Sequence, residues 1–361
     1  MSARDYFSAD YREARSKFRD AAARAGASLS SYVNPRSKGP NGEELSTDVA
    51  RIGPADASRV LITISATHGA EGFCGSGAQI GSFEAGLGRE LPADTALVAV
   101  HAINPHGFAW IRRVTEDNVD LNRNFVDHGG AVPTNPGYDE LADAICPSEW
   151  SEPALGAATA RLEAYGRAHG AAALQFAITG GQYRHADGVF YGGKAPTWSR
   201  GTMLEIVAAH AARARRLALI DFHTGLGPWG DGEPIVTHAP NTAGLARARQ
   251  WYGERITSPL LGNSTSAEVR GDILTGVEHR YGGIEVTGLA LEYGTLSLRE
   301  VLDAVRADNW LHVHGKLDSA KGREIKAMIR DAFYGDKPDW KDMIFEQAFA
   351  AERSALRGLA A

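Results

Sequence analysis

Cysteine is nearly absent: Cys74 and Cys146 are the only two in 361 residues. Two thiols are too few for a disulfide framework, and their spacing suits no thiolate zinc site. The opening stretch, MSARDYFSADYREARSKFRD, holds no apolar segment of the signal-peptide type, and no run is long and apolar enough to cross a bilayer. A cytoplasmic location with no membrane partner is therefore expected. An excess of one charge is missing too. The net charge is −6 and the basic residues are scattered, which leaves no footprint for nucleic acid. The densest basic group, Arg213, Arg215 and Arg216, falls at the end of a predicted helix, where cations complement the dipole. Internal repeats, linkers and low-complexity tracts are also missing, so one domain over residues 1–361 is the simplest organisation. Self-association into a homo-oligomer is left open.

What is present is a set of short apolar runs. Val60–Ile64 within RVLITISATHGAEG (Arg59–Gly72), Thr95–Asn104 (TALVAVHAIN), Leu217–Phe222 (LALIDF) and a run ending at Leu289–Glu292 (LALE) read as strands buried on both faces. Between and around them lie helical patterns: Tyr6–Gly26, Gly75–Gly86, Glu149–Gly170, Trp198–Arg216, Asn241–Ile256, Leu298–His312, Ser319–Phe333 and Trp340–Leu359. Strands alternating with helices predict an α/β fold with a mostly parallel or mixed central sheet and helices on both faces. The core is expected over about residues 55–315, with helical extensions at 1–30 and 317–361 and a polar, turn-rich Ser30–Arg51 leading in, in places hairpin-like. Pro105–Asp127 and Gly225–Gly232 read as loops.

In such a sheet, ligands gather outside the carboxyl ends of the strands. Chemistry accumulates there. His68 and Glu71 follow the first strand, and Asn104 and the loop bearing Arg112, Arg113, Asp120, Asn122, Arg123 and Asn124 follow the second. His223 ends the third and Glu292 closes the fourth. Two imidazoles and a carboxylate form a catalytic-type zinc ligand set with one position left for water, and Glu292 is then the candidate for moving protons. Each of these residues alone has a plainer reading as a turn or surface group; their common location is what argues for a site.

HGAE (His68–Glu71), NPHGF (Asn104–Phe108), RRVTEDNVDLNRNF (Arg112–Phe125), DFHTG (Asp221–Gly225) and ALEYG (Ala290–Gly294) occur in the order seen in zinc carboxypeptidases. The chain therefore resembles that superfamily, which also holds succinylglutamate desuccinylase and aspartoacylase; D-x-N-R-N is its most specific segment. The resemblance implies one Zn²⁺ per chain held by His68, Glu71 and His223, with Glu292 as general base and acid. It implies Arg113 at the oxyanion, preferred over Arg112 because it lies nine residues before Asn122 as in bacterial members. It also implies Asn122 and Arg123 on a substrate carboxylate, and Arg112 is counted among the candidate substrate-binding groups. The expected activity is hydrolysis of an amide next to a free carboxylate, the substrate being a small peptide (a carboxypeptidase-type activity) or an N-acyl amino acid. A zinc-binding protein without catalysis is the alternative outside enzymology.

Four further readings are open at this level. A substrate-capping tyrosine is not placed by spacing, and Tyr183, Tyr191, Tyr281 and Tyr293 all qualify. Gly180–Lys194 (GGQYRHADGVFYGGK) is either a plain hairpin or a wall over the metal that presents Gln182, Tyr183, Arg184 or Tyr191 to substrate. Gly75, Gly77 and Gly81 mimic a dinucleotide fingerprint, but helix packing accounts for them better. Asp221, on the same strand face as His223, either orients a ligand or makes a structural ion pair.

Overall fold

A computed structural model describes residues 2–361. Its sheet has seven strands: β1 (Ser28–Lys38), β2 (Glu44–Ile52), β3 (Arg59–Ile64), β4 (Thr95–His101), β5 (Arg216–Trp229), β6 (Gly232–Ile235) and β7 (Glu285–Gly294). The order across the sheet is β1-β2-β4-β3-β5-β7-β6. The central strands β4, β3, β5 and β7 are parallel, and the outer pairings β1/β2, β2/β4 and β6/β7 are antiparallel. The sheet is therefore mixed, as the alternation of patterns predicted.

Period-two alternation assigns the two faces. Val60, Ile62 and Ile64 pack with Val98, Val100, Leu217 and Leu219 into one apolar cluster beneath the helices Trp198–His210 and Ile273–Arg280. Leu61 and its neighbours Leu97, Ala218, Ile220 and Phe222 face the other way. Both terminal helices join that second cluster through Phe18, Trp340, Ile344, Ala348 and Leu356. Trp340 is fully buried, and its indole N–H donates to the Gly294 carbonyl at 3.0 Å, tying the C-terminal helix Pro338–Ala360 to the end of β7. The Gly72–Ala85 helix lies so close to the sheet that a Cβ at Gly75 would stand 2.7 Å from that of Ser65. Its glycines serve packing.

Several expectations need correction. The turn-rich Ser30–Arg51 segment is a long hairpin, β1–β2, that extends the main sheet through β4, so the sheet begins at Ser28 rather than near residue 55. Gly225–Gly232 is not a free loop: β5 runs on to Trp229, and the short edge strand β6 follows at once. A helix over Ala171–Thr179 escaped notice because Gly170, at φ +93°, breaks the pattern just before it. Asn104 caps the short helix Pro105–Trp110, its side-chain oxygen accepting from Gly107 N at 2.9 Å. Gly180–Lys194 is no hairpin; its one strand-like feature is an isolated Gln182/Tyr191 bridge. Among the described residues no helix is long and apolar enough to cross a membrane.

Chain order places a crevice. β3 is followed in sequence by β4 on one side, and the next parallel strand, β5, lies on the other side. Such a switch opens a gap beyond the carboxyl ends of the strands.

One buried acid supplies a pH test of this packing. Glu352, in the C-terminal helix, is 1% exposed and accepts the Ser82 hydroxyl, and burial pushes its carboxyl up to about 8. Its ordinary value is 4.5. The native state thus holds a proton that the unfolded chain releases, and stability falls as pH rises from about 4.5 to 8. Glu352→Gln should flatten that decline, worth on the order of a few kcal/mol, in urea unfolding; equal declines in both proteins would rule the effect out.

Candidate metal centre

Strand register brings the chemistry together. Ile64 pairs with Asp221, Asp221 with Ala290, and His223 with Glu292, so His223 and Glu292 lie side by side two residues beyond the level at which β3 ends. The turn after β3 is fixed by the loop after β4: Gly69 N donates to Arg113 O at 3.2 Å and Ala70 N to Arg112 O at 2.8 Å. His68 and Glu71 therefore project over β5.

Glu71 bridges the two histidines. His68 Nδ1 lies 2.8 Å from Glu71 Oε1, and His223 Nδ1 lies 2.9 Å from Oε2. One ligand atom from each of the three residues falls within 4.8 Å of the others, and all three side chains are buried. The opposite ring nitrogens are also held: His68 Nε2 is 3.1 Å from Asp120 Oδ1, and His223 Nε2 is 2.7 Å from Asp221 Oδ2. Asp221 is anchored in turn by the Thr67 hydroxyl at 2.7 Å. A carboxylate beside the far ring nitrogen orients each imidazole, and at His68 Nε2 the Arg113 Nη2 also stands at 2.9 Å. Both Nδ1 atoms converge on Glu71, and a nitrogen–nitrogen–carboxylate set of this kind fits zinc. The carboxylate role of Asp120 was not foreseen; its place at the head of D-x-N-R-N was the available signal.

Burial opposes ionisation of Glu71, yet His68 and His223 outweigh it and hold its carboxyl below the usual range. Asp120 is held well below its ordinary value in the same way, mainly by Arg113 and Arg123 against the cost of burial. Glu292 behaves differently. Burial and the nearby Glu71 charge push it up to about 8. Its Oε1 accepts from Leu226 N at 3.1 Å, which orients the carboxyl group, and a cation bound at the three ligands would oppose the rise.

The two arginines of the loop part company. Arg113 Nε meets Asp120 Oδ2 at 2.9 Å, its Nη1 lies 3.4 Å from Glu71 Oε1, and its guanidinium sits 5.1 Å from the Phe190 ring centre. Arg112, expected among the substrate-binding groups, does not line the cavity. Its Nε meets Asp308 Oδ2 at 3.1 Å and its Nη2 meets the Asn118 side-chain oxygen at 3.1 Å. Asp308 is a buried acid that needs cations, and Arg112 and Lys326 supply them.

Asn122 Nδ2 lies 3.4 Å from His223 Nε2, while its oxygen accepts from Ile273 N at 3.0 Å. Arg123 is 4% exposed and donates to the carbonyls of Asn122 (2.9 Å) and Thr179 (2.5 Å). Its Nε has no partner, and among the described residues no carboxylate pairs with it. Burial and neighbouring Arg113 lower its proton affinity against the pull of Asp120.

The tyrosine expectations fail on geometry. The Tyr183 hydroxyl donates to Arg123 O at 2.6 Å, and the Tyr191 carbonyl accepts from Asp120 N at 2.8 Å. Both are buried supports of the D-x-N-R-N turn, and no tyrosine lines the cavity among the described residues. Tyr281 and Tyr293 are likewise spent on the carbonyls of Leu204 and Ile344. From Gly180–Lys194 it is Phe190, lying under both Arg113 and Arg123, that reaches the cavity. Arg184 turns away to Asp139 at 2.9 Å.

A family model described as "Protein of unknown function (DUF2817)" matches residues 7–347. No curated protein matches the sequence. Carboxypeptidase A from Helicoverpa armigera superposes with a TM-score of 0.52 at 12% identity, covering 97% of this chain and 73% of that one. Bovine thrombin-activatable fibrinolysis inhibitor, solved with tick carboxypeptidase inhibitor, gives 0.51 at 9% identity, covering 98% and 97%. At these identities the likeness is one of fold, the carboxypeptidase-like α/β architecture.

Asp120→Asn and Asp221→Asn should each weaken zinc binding about 10- to 100-fold, read by competition with a chromophoric chelator. His68→Ala, Glu71→Ala and His223→Ala should lose stoichiometric zinc. Unchanged affinity in both Asn variants would mean that the carboxylates do not tune the ligands.

Proposed function

The chain belongs to the DUF2817 family, and from the chemistry of its site we propose that it is a zinc-dependent hydrolase cleaving an amide bond next to a free carboxylate. The observation that carries this reading is Arg123: a buried cation without an acidic partner, in the same cavity as His68, Glu71, His223 and Glu292. Carboxypeptidase-type cleavage of a small peptide and deacylation of an N-acyl amino acid both satisfy it.

His68, Glu71 and His223 would hold the metal. Bound zinc supplies Lewis-acid polarisation and a water acidic enough to ionise near neutral pH. The protein's own groups do the rest. Glu292, oriented by Leu226 N, takes a proton from the attacking water and returns it to the departing amine. Arg113 turns its guanidinium toward negative charge developing on the carbonyl oxygen. Arg123 receives the substrate carboxylate, with Asn122 beside it on the same cavity wall. In balance, a C–O bond forms, the C–N bond breaks, and the amine leaves with the water's proton. A purely structural zinc site has no need of Glu292 or of an unpaired Arg123.

Exhaustive chelation should abolish hydrolysis of dipeptides and N-acyl amino acids, and added zinc should restore it. Glu292→Gln should lower kcat by about 10²- to 10⁴-fold with zinc content unchanged. Arg123→Met should lower kcat/KM by roughly 10- to 100-fold for carboxylate substrates, and much less for the matching carboxamides. Full activity in Glu292→Gln would turn the reading toward a non-catalytic zinc protein.

A further inference from the structure

The cavity has two unlike ends. The carboxylate end is bounded by the Ile273–Arg280 helix, which grips Asn122 through Ile273 N, and by Leu274 of the apolar cluster on that face of the sheet. The other end is built from a different cluster. Leu298, Val301, Leu302 and Val305 of the Leu298–Val313 helix line it, joined by Phe333. Their spacing is that of one helical stripe. Val301 and Val305 are packed in that cluster with Ile329 and Phe333, and the same stripe also lines the cavity that holds the metal ligands. Gly225, two residues past His223, sits at the junction, where an added Cβ would stand 2.9 Å from the Phe333 ring and 3.4 Å from Val301. Leu298, at the mouth, is 48% exposed.

Charge separates the ends further. The acidic groups lining the whole cavity are Glu71, Asp221, Asp272 and Glu292. Glu71 and Asp221 serve the histidines, and Asp272 caps the Ile273–Arg280 helix, accepting from Thr275 N at 2.8 Å. Glu292 is the proton carrier of the proposed reaction. None is left in the apolar end to meet an ammonium, and an unpaired cation there would pay the cost of desolvation.

Resting on the amide-hydrolase reading above, we infer that this lobe takes the acyl side of the scissile bond, and that the group it selects is large, apolar and uncharged. The shared chemistry is an apolar acyl group without a free amine. It has two sources: a fatty or aromatic N-acyl chain, or an N-blocked apolar residue of a longer peptide.

The test uses the zinc-loaded full-length protein and five leucine derivatives: N-octanoyl-, N-acetyl- and N-succinyl-leucine, acetyl-Leu-Leu and Leu-Leu. Octanoyl should exceed acetyl at least tenfold in kcat/KM, given about 0.8 kcal/mol per buried methylene, and acetyl-Leu-Leu should exceed Leu-Leu by a similar factor. The better of N-octanoyl-leucine and acetyl-Leu-Leu identifies the source. Succinyl equal to octanoyl, or Leu-Leu equal to its acetylated form, overturns the inference while leaving the hydrolase reading intact. Leu302→Asp, and Leu298→Asp at the exposed mouth as a variant that packing tolerates, should lower the octanoyl-to-acetyl ratio at least fivefold; an unmoved ratio in both counts against the lobe. If no compound is hydrolysed, the hydrolase reading falls. The lobe is then judged by calorimetry on the zinc-loaded protein: tighter binding of N-octanoyl- than N-acetyl-leucine supports it, and equal affinity overturns it.

Discussion

The Glu71 carboxylate, clasped between His68 and His223, is the interaction on which the rest of the site depends. It joins the turn after β3 to His223 of β5, and it exists because the register sets the end of β3 beside Asp221, two residues before His223. A one-residue slip of β5 would carry His223 to the opposite face and bring an apolar neighbour into its place. The apolar clusters on the two faces forbid that slip, because every residue of β3 from Val60 to Ile64 is buried on one side or the other. The hydrophobic pattern of the strands thus positions groups that are not themselves hydrophobic.

Burying so many charges is tolerable only if they are matched. His68 meets Asp120, His223 meets Asp221, and Arg113 spans Asp120 and Glu71. Outside the cavity, Arg112 and Lys326 neutralise Asp308. Within the site three ionisable side chains stand outside any ion pair among the described residues: Asp272, which caps the Ile273–Arg280 helix, Glu292, whose carboxyl is pushed up to about 8, and Arg123, whose Nε is orphaned. Mismatch at a buried position is costly, and it persists where a missing component completes the pairing. A metal ion with its water beside Glu292, and a carboxylate beside Arg123, are components that would do so.

Residues set by local pattern were legible in the sequence. Strands β3, β4, β5 and β7 announced themselves as apolar runs, and His68, Glu71, His223 and Glu292 stand out as polar groups at their ends. What escaped was decided by tertiary contact. Tyr183 and Tyr191 look like substrate contacts because aromatic hydroxyls in a glycine-framed loop have that character. Their roles as supports for Arg123 O and Asp120 N follow from the path of a chain sixty to seventy residues away. Arg112 and Arg113 are identical in kind and adjacent; Asp308, nearly two hundred residues on, determines which one leaves the cavity. The edge strand β6 is four residues long and contains Pro234, so it carries almost no strand signal of its own.

The two ends of the cavity imply two kinds of selectivity, because their physics differs. A substrate lacking the carboxylate would leave the Arg123 guanidinium buried and unpaired, a penalty imposed in full by a single missing group. A substrate with a shorter acyl group merely forgoes contact with Leu298, Val301, Leu302 and Val305, and loses affinity by increments of one methylene at a time. A hydrophobic surface distinguishes neighbours in size weakly, whereas a desolvated charge distinguishes presence from absence strongly. On the proposed reading, the arrangement would pair a strict requirement at Arg123 with a graded preference along the Leu298–Val313 helix, and the two would meet at a carbonyl placed over His68, Glu71 and His223.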